Sequence, residues 1–115
     1  MSEWHFACAF DDLVPDRGAA VLLDGHQIAL FRLSESDDVH AVDHLDPFSR
    51  ANVMARGLVG SRQGTATVAS PMHKQAFDLT TGRCLDGPDV SLRVWPARVV
   101  DGLVEILLEP EIGAA

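Results

Sequence analysis

Three glycine turns, each between two short apolar segments rich in β-forming residues, constrain the fold of this chain most strongly. They are Asp24-Gly25, Thr80-Thr81-Gly82 and Asp101-Gly102. A turn of this kind between such segments is typical of a β-hairpin, because glycine readily adopts the positive φ angles that tight hairpin turns require. Several short strands joined in this way predict an all-β, antiparallel domain, either a β-sandwich or a partly open barrel.

The segments between these turns supply the expected core. The stretch from Trp4 to Phe10 alternates in a way that suits a strand with one buried face. The segment from Phe48 to Gly57 is ambiguous, because Ser49 could begin a short helix there and Gly57 could end it. Pro96 has no backbone N–H and indicates an edge or a bulge in the penultimate strand. We expect these apolar side chains to contribute to the core: Trp4, Phe6, Phe31, Phe77, Val94 and Leu107.

The length and charge of the chain limit what it is expected to bind. Its 115 residues predict one domain, residues 1–115, in which 109–115 form a loose C-terminal tail. Nine basic residues against 17 acidic ones give a net charge of −8, which argues against binding to duplex nucleic acid. No apolar run approaches the ~18 residues of a membrane span, and no signal peptide is recognisable. We therefore expect a cytoplasmic protein that binds neither nucleic acid nor membrane.

Two histidine-bearing segments, Val42-Asp43-His44 and Ser70-Pro71-Met72-His73, each follow a short predicted strand. Two such loops can meet at one end of a β-sandwich, where a metal ion shared by the two histidines would need a third and a fourth ligand. Asp43 or Asp46 could supply a carboxylate, but no fixed spacing selects either residue. We therefore expect no metal site.

Catalytic and thiol-based sites are not favoured either. A triad of Ser70, His73 and Asp78 would be local in sequence, whereas working triads are assembled from distant segments. Cys8 and Cys84 belong to no metal-binding spacing, so they are expected to be small buried residues in a reducing compartment. The residues alone indicate no catalytic, cofactor-binding or metal site in this chain.

The stretch from Ser70 to Gly82 resembles the second cluster-binding loop of Rieske iron–sulfur domains. That loop reads Cys-x-x-His, then an aromatic residue, a polar residue, Leu and a Thr-Gly turn, and the counterpart of the first loop, Cys-x-His, is taken to be Val42-Asp43-His44. A Rieske [2Fe–2S] centre needs two Cys thiolates on one iron and two His on the other. The matched positions are Val42, His44, Ser70 and His73. Because Val42 and Ser70 offer no thiolate, the resemblance implies a Rieske-like (ISP-type) scaffold without the cluster.

A second resemblance extends almost from end to end. The segments that carry it are Trp4, Asp11–Pro15, Gln27–Arg32, Asp46-Pro47-Phe48, Val53–Leu58, Val68–Phe77, Gly82–Leu85 and Ala97–Gly102. In these segments the chain resembles the small subunits of cytoplasmic NADH-dependent nitrite reductases, a family with a Rieske-like fold and no cluster. The most specific matches are Asp-Pro-Phe and Ala-Ser-Pro-x-x-Lys-Gln-x-Phe.

This resemblance implies a role in nitrate and nitrite assimilation as one part of an enzyme. A large subunit is expected to carry sirohaem, a [4Fe–4S] cluster and FAD, and to reduce nitrite to ammonium with electrons from NADH. The small subunit is expected to assist it without a catalytic site of its own. Two alternatives remain open: a Rieske-type ferredoxin that serves an oxygenase, and a β-sandwich module that binds another partner.

The large subunit is expected to dock at the end of the sandwich that holds the two loops, because Rieske domains present their cluster there. Phe48 and Met72 are the expected apolar anchors, and Lys74 is the expected polar contact. Phe48 has an alternative role, which is to close the end of the sandwich. The candidate interface residues are Asp46, Pro47, Phe48, Pro71, Met72, His73, Lys74 and Gln75.

Overall fold

The computed structural model describes residues 3–87 and 89–108. Within them the chain forms ten β-strands and two short 3₁₀ turns, Phe10–Asp12 and Met54–Arg56. The strands are β1 (Glu3–Ala9), β2 (Gly18–Leu23), β3 (His26–Arg32), β4 (Val39–Asp43), β5 (Leu58–Arg62), β6 (Thr65–Ala69), β7 (Ala76–Asp78), β8 (Val94–Trp95), β9 (Ala97–Val100) and β10 (Leu103–Leu108). The tail expected at 109–115 lies outside the described residues.

The strands build three antiparallel sheets. A four-stranded sheet has the order β2-β3-β4-β8, and two three-stranded sheets have the orders β1-β10-β9 and β5-β6-β7. The predicted all-β, antiparallel architecture is confirmed, and the three sheets do not close into a barrel. In the part of the chain that the structure covers, no helix is long and apolar enough to span a bilayer.

The central strands of the four-stranded sheet, β3 and β4, are buried on both faces. On one face, Phe31 packs in a cluster with Val68 and Phe77 from the sheet of β5, β6 and β7. On the other face, Leu30 packs in a second cluster with Ile106 from the sheet of β1, β9 and β10. Strand β3 therefore has a nearly continuous run of buried residues, as expected for a strand covered on both sides.

The glycine turns form hairpins, with one exception. Asp24-Gly25 joins β2 to β3 and Asp101-Gly102 joins β9 to β10, and all four residues have positive φ, as type I′ turns require. Thr80-Thr81-Gly82 follows β7, but the returning segment makes only an isolated bridge between Phe77 and Cys84. A further hairpin, which was not among the predicted ones, joins β5 to β6 through Gln63-Gly64.

Two irregular segments connect the sheets. Pro96 separates β8 from β9, and the chain changes sheets there, since β8 pairs with β4 whereas β9 pairs with β10. The irregularity predicted at Pro96 is therefore confirmed. The helix considered between residues 48 and 57 is reduced to the 3₁₀ turn Met54–Arg56.

The predicted core contains three errors, two in β1 and one in β10. Phe31 and Phe77 are fully buried as expected, but Trp4 and Phe6 are 37% and 58% exposed. In the register of β1 with β10, Trp4 lies opposite Leu107 and Phe6 lies opposite Glu105, on the outer face of the sheet. The inward-facing positions of β10 are Val104, Ile106 and Leu108, which are buried. Leu107, opposite Trp4, faces the outer side as well and is only half-buried, whereas Val94 packs at the edge of the first cluster.

Candidate functional site

The first loop, residues 44–53, follows β4 and contains a six-residue turn that begins at Asp46. The Asp46 N–H donates to the Ala51 carbonyl at 2.8 Å, and the Arg50 N–H donates to the Asp46 carbonyl at 2.8 Å. Arg50 has a φ of 65°. Asp46 Oδ1 also accepts the Phe48 N–H at 2.9 Å, so the side chain caps its own turn.

The second loop, residues 70–75, joins β6 to β7 and repeats this pattern. The Ser70 N–H donates to the Gln75 carbonyl at 2.9 Å, and the Lys74 N–H donates to the Ser70 carbonyl at 2.9 Å. Lys74 has a φ of 64°. Ser70 Oγ accepts the Met72 N–H at 3.1 Å. Asp46 and Ser70 thus hold equivalent positions, each at the start of its turn.

A direct hydrogen bond joins the first residues of the two loops. Ser70 Oγ donates to Asp46 Oδ2 at 2.6 Å, and both residues are almost completely buried, at 1% and 0% exposure. The same backbone turn also occurs at residues 33–38 and 78–83. What distinguishes the two loops is that a hydrogen bond between buried side chains ties one to the other.

The carboxyl group of Asp46 is held in its charged form. Burial by itself would raise the pKa of Asp46, but hydrogen bonds from the Ser70 hydroxyl, the Phe48 N–H and Ser49 together lower it. A buried carboxylate is tolerated when its oxygens are hydrogen-bonded in this way. The link between the loops is therefore a charge-assisted hydrogen bond at neutral pH.

The structure corrects the expected position of Val42. This residue does not lie in a loop but within β4, where it is fully buried in the first core cluster and pairs with Ala29 and Val94. The first loop begins only after β4 ends at Asp43, so the residue that meets Ser70 is Asp46. Matching Val42-Asp43-His44 to Cys-x-His placed the start of the first loop too early in the sequence. The end of β4 at Asp43 is the signal that gives the correct start.

His44 lies at the base of the first loop rather than at its tip. Its Nδ1 accepts the Ala55 N–H at 3.1 Å, which uses one ring nitrogen for local structure. Burial and the nearby charge of Arg56 lower the pKa of His44, so the ring is neutral at neutral pH. His73, in contrast, is exposed in the second loop. Within residues 3–87 and 89–108, no group of three or more His, Cys, Asp or Glu side chains is arranged to hold a metal ion.

The expected interface residues differ in exposure. Pro71, Met72, His73 and Lys74 are exposed, whereas Asp46 is buried. Pro47, Phe48 and Gln75 are partly buried. The Phe48 ring lies 6.0 Å from the Phe77 ring, so it packs onto the core and closes the end of the sandwich.

The donor atoms of the two loops do not fit a [2Fe–2S] centre. Such a centre needs two thiolates, and the side chains that meet here are a carboxylate and a hydroxyl. Cys84 is buried in the first core cluster and Cys8 lies in β1, so neither belongs to a loop. The Ser70 hydroxyl donates to Asp46 rather than to His73, and Asp78 caps the turn after β7, which leaves no local triad among these residues.

We expect acid to weaken the link between the loops. The folded-state pKa of Asp46 is lowered, so its contribution to stability is present above about pH 4 and is lost as the pH falls through the folded pKa. Ser70→Ala removes the hydroxyl donor. The free energy of unfolding of this variant, measured in urea from pH 2 to 5, should depend less steeply on pH than that of the parent chain. Identical slopes would show that the hydroxyl does not lower the pKa of Asp46.

Comparisons with known proteins agree with this architecture. The family model of the Rieske-like [2Fe-2S] domain matches residues 3–107. A crystal structure assigned to an NADH-dependent nitrite reductase small subunit from Mycobacterium tuberculosis has a TM-score of 0.91 and 53% sequence identity, and the match covers 96% of this chain and 98% of that one.

Curated relatives point to the same group. The nitrite reductase (NADH) small subunit of Escherichia coli K12 is 42% identical over 106 residues, which cover 92% of this chain and 98% of that protein. Part of the nitrite reductase [NAD(P)H] large subunit of Klebsiella oxytoca is 42% identical over 101 residues, which cover 88% of this chain and 10% of that protein. The chain therefore belongs to the Rieske-like [2Fe-2S] domain family and, within it, to the small subunits of NADH nitrite reductase.

Proposed function

We propose that this chain is a cluster-free, non-catalytic subunit of a cytoplasmic NADH-dependent nitrite reductase. Its task is to bind the large subunit and to assist its turnover. The large subunit carries sirohaem, a [4Fe–4S] cluster and FAD and reduces nitrite to ammonium. The observation that carries the proposal is the identity with nitrite reductase small subunits over nearly the whole length of both chains. The same length of match supports treating residues 1–115 as a single domain.

The chemistry of the two loops supports the cluster-free state. The Ser70 hydroxyl stays protonated and is already used as a donor to Asp46, so it is a poor substitute for a thiolate. The two cysteines of the chain lie in β1 and in the core. A ferredoxin of an oxygenase needs a resident redox centre to carry an electron, and this donor set weighs against that alternative.

The Klebsiella oxytoca protein supports a stoichiometric association with the large subunit. There, a region equivalent to this chain makes up part of a polypeptide that is itself a nitrite reductase large subunit. In such a fused polypeptide, each large subunit is accompanied by one copy of the region that is equivalent to this chain. We therefore propose one copy of this chain per large subunit in the complex.

We propose that the large subunit contacts the exposed side of the two loops, which we call the loop surface. Its apolar part contains Pro71 and Met72, and Met72 is 55% exposed. Its charged part contains Lys74 and Arg50, and neither makes an ion pair with any other residue that the structure describes. Two uncompensated cations around an apolar centre, on a chain with a net charge of −8, fit an acidic rim on the partner.

Changing this surface should weaken the complex. The double variant Met72→Ala/Lys74→Glu removes an apolar contact and reverses a charge, and it should raise the Kd for the large subunit about 10- to 100-fold. The increase in Kd caused by Lys74→Glu alone should be smaller at high salt, because salt screens exposed charges. Binding is measured by titration calorimetry at two salt concentrations.

A matched control places the same kinds of change away from the loops. Val14→Ala/Arg83→Glu alters a valine that is 55% exposed near the end of β3 opposite the first loop and an exposed arginine beyond the far end of β7, and it should leave the Kd within a factor of about two. Thermal melting confirms that both variants fold. An unchanged Kd in a folded Met72/Lys74 variant would move the interface elsewhere, first to the outer face of β1, β9 and β10, where Trp4 and Phe6 are exposed.

A further inference from the structure

We infer that Asp46 and Ser70 stand at the two thiolate positions of a cluster-binding Rieske domain, and that their hydrogen bond replaces the cluster as the link between the loops. The inference rests on the cluster-free state proposed above and is independent of any role in nitrite reduction. In the first loop, the inference places the former Cys position at Asp46 and the former His position at Phe48, rather than at Val42 and His44.

The two loops have equivalent backbone geometry. A Rieske cluster takes one Cys and one His from each loop, so the two Cys positions occupy corresponding places. Here Asp46 and Ser70 both begin a six-residue turn with the same pair of backbone hydrogen bonds. Both side chains also accept the N–H two residues further on, from Phe48 and from Met72. Asp78 begins a turn of the same kind, and it is the direct contact with the Ser70 hydroxyl that singles out Asp46 as its counterpart.

The residue intervals within the two loops and the contact between their first side chains both match a pair of cluster-binding loops. Asp46-Pro47-Phe48 has the interval of Cys-x-His, and Ser70-Pro71-Met72-His73 has the interval of Cys-x-x-His. A shared iron requires its two thiolates to lie close together, and the side chains at positions 46 and 70 are in contact at 2.6 Å. Val42 cannot fill this role, because it points into the core from within a paired strand.

The consequence is a pair of loops that keep their shape without iron. In a cluster-binding domain, the metal centre fixes the two loops relative to each other. In this chain, the buried Asp46–Ser70 hydrogen bond supplies the fixed point, and each partner also caps its own turn. The loop surface is thereby held in one arrangement whatever the iron supply or redox state.

Two pairs of cysteine substitutions compare the alternative assignments directly. In Asp46→Cys/Ser70→Cys the two thiols replace side chains that are in contact, so mild oxidation should form a disulfide between positions 46 and 70 in nearly all molecules. In Val42→Cys/Ser70→Cys no disulfide should form between positions 42 and 70. Peptide mapping by mass spectrometry identifies the bond in the presence of Cys8 and Cys84. A disulfide only in the second variant, or none in a folded first variant, would overturn the assignment.

A double-mutant cycle provides the test if the cysteine variants fail to fold. Asp46→Ala and Ser70→Ala should each lower the Tm, and Ser70→Ala should have a much smaller effect when Asp46 is already replaced. Fully additive shifts in Tm would show that the two residues do not act as one link and would overturn the inference. Neither test involves nitrite or the large subunit, so failure here is distinguishable from failure of the proposed function.

Discussion

Replacing Phe77 with alanine is expected to lower the free energy of unfolding by about 3–5 kcal/mol. The ring is fully buried in the first core cluster, pairs with Val68 across β6 and β7, and carries the Phe48 ring on its outer side. Its loss removes contacts between two sheets and leaves a cavity in the first core cluster, beneath the Phe48 ring. Because domains of this size are stable by about 5–15 kcal/mol, the variant should lose a large part of its stability in urea unfolding.

Phe6→Ala is the matched control for this prediction. The Phe6 side chain is 58% exposed on the outer face of β1, so the same substitution should change the free energy of unfolding by about 1 kcal/mol or less. If Phe6→Ala cost as much as Phe77→Ala, the register of β1 against β10 would have to place Phe6 in the core.

Gly82→Ala is expected to destabilise the chain by about 2–5 kcal/mol. Gly82 has a φ of 81°, which costs an L-residue about 1–2 kcal/mol. A Cβ at this position would lie 2.0 Å from the Leu92 carbonyl oxygen, so the segment that returns over the turn must also move. That segment is held in place by the Leu92 N–H, which donates to the Gly82 carbonyl at 2.7 Å, and displacing it adds a further ~1–3 kcal/mol.

Gly102→Ala separates the backbone cost from the steric cost. Gly102 has nearly the same φ, 78°, but a Cβ there would meet nothing within 4 Å. Its substitution should therefore cost only about 1–2 kcal/mol in the same urea measurement. Equal losses in the two variants would mean that the contact between Gly82 and Leu92 does not constrain the fold.

The hairpins could be predicted because their signal is local. Asp24-Gly25 and Asp101-Gly102 carry the backbone requirement of a tight turn within two residues, and the flanking apolar segments supply the strands. The face of β1 could not be predicted in the same way. Its alternation is set by pairing with β10, nearly a hundred positions later, and by a register shift between Phe6 and Cys8. Local hydrophobicity therefore pointed to the wrong face.

The candidate site was predictable in its second loop and not in its first. The run from Ser70 to His73 is contiguous, and the strands on either side of it were recognisable, so its place at the end of the sandwich follows from the sequence. The partner of Ser70 is Asp46, which is 24 residues away. Only the end of β4 at Asp43, one residue beyond Val42, shows that the first loop starts later than the x-His match suggests.

The most direct test of the account is a titration of the large subunit with this chain. The chain is first treated with a chelator to remove any metal, and the large subunit is left untreated. NADH-dependent nitrite reduction is recorded at each ratio, and iron and acid-labile sulfide are determined on the same sample of the chain. The account predicts that turnover rises and reaches a plateau at one chain per large subunit, with no iron on the chain. Turnover that responds only to a chain carrying two iron and two sulfide, or that does not respond at all, would contradict it.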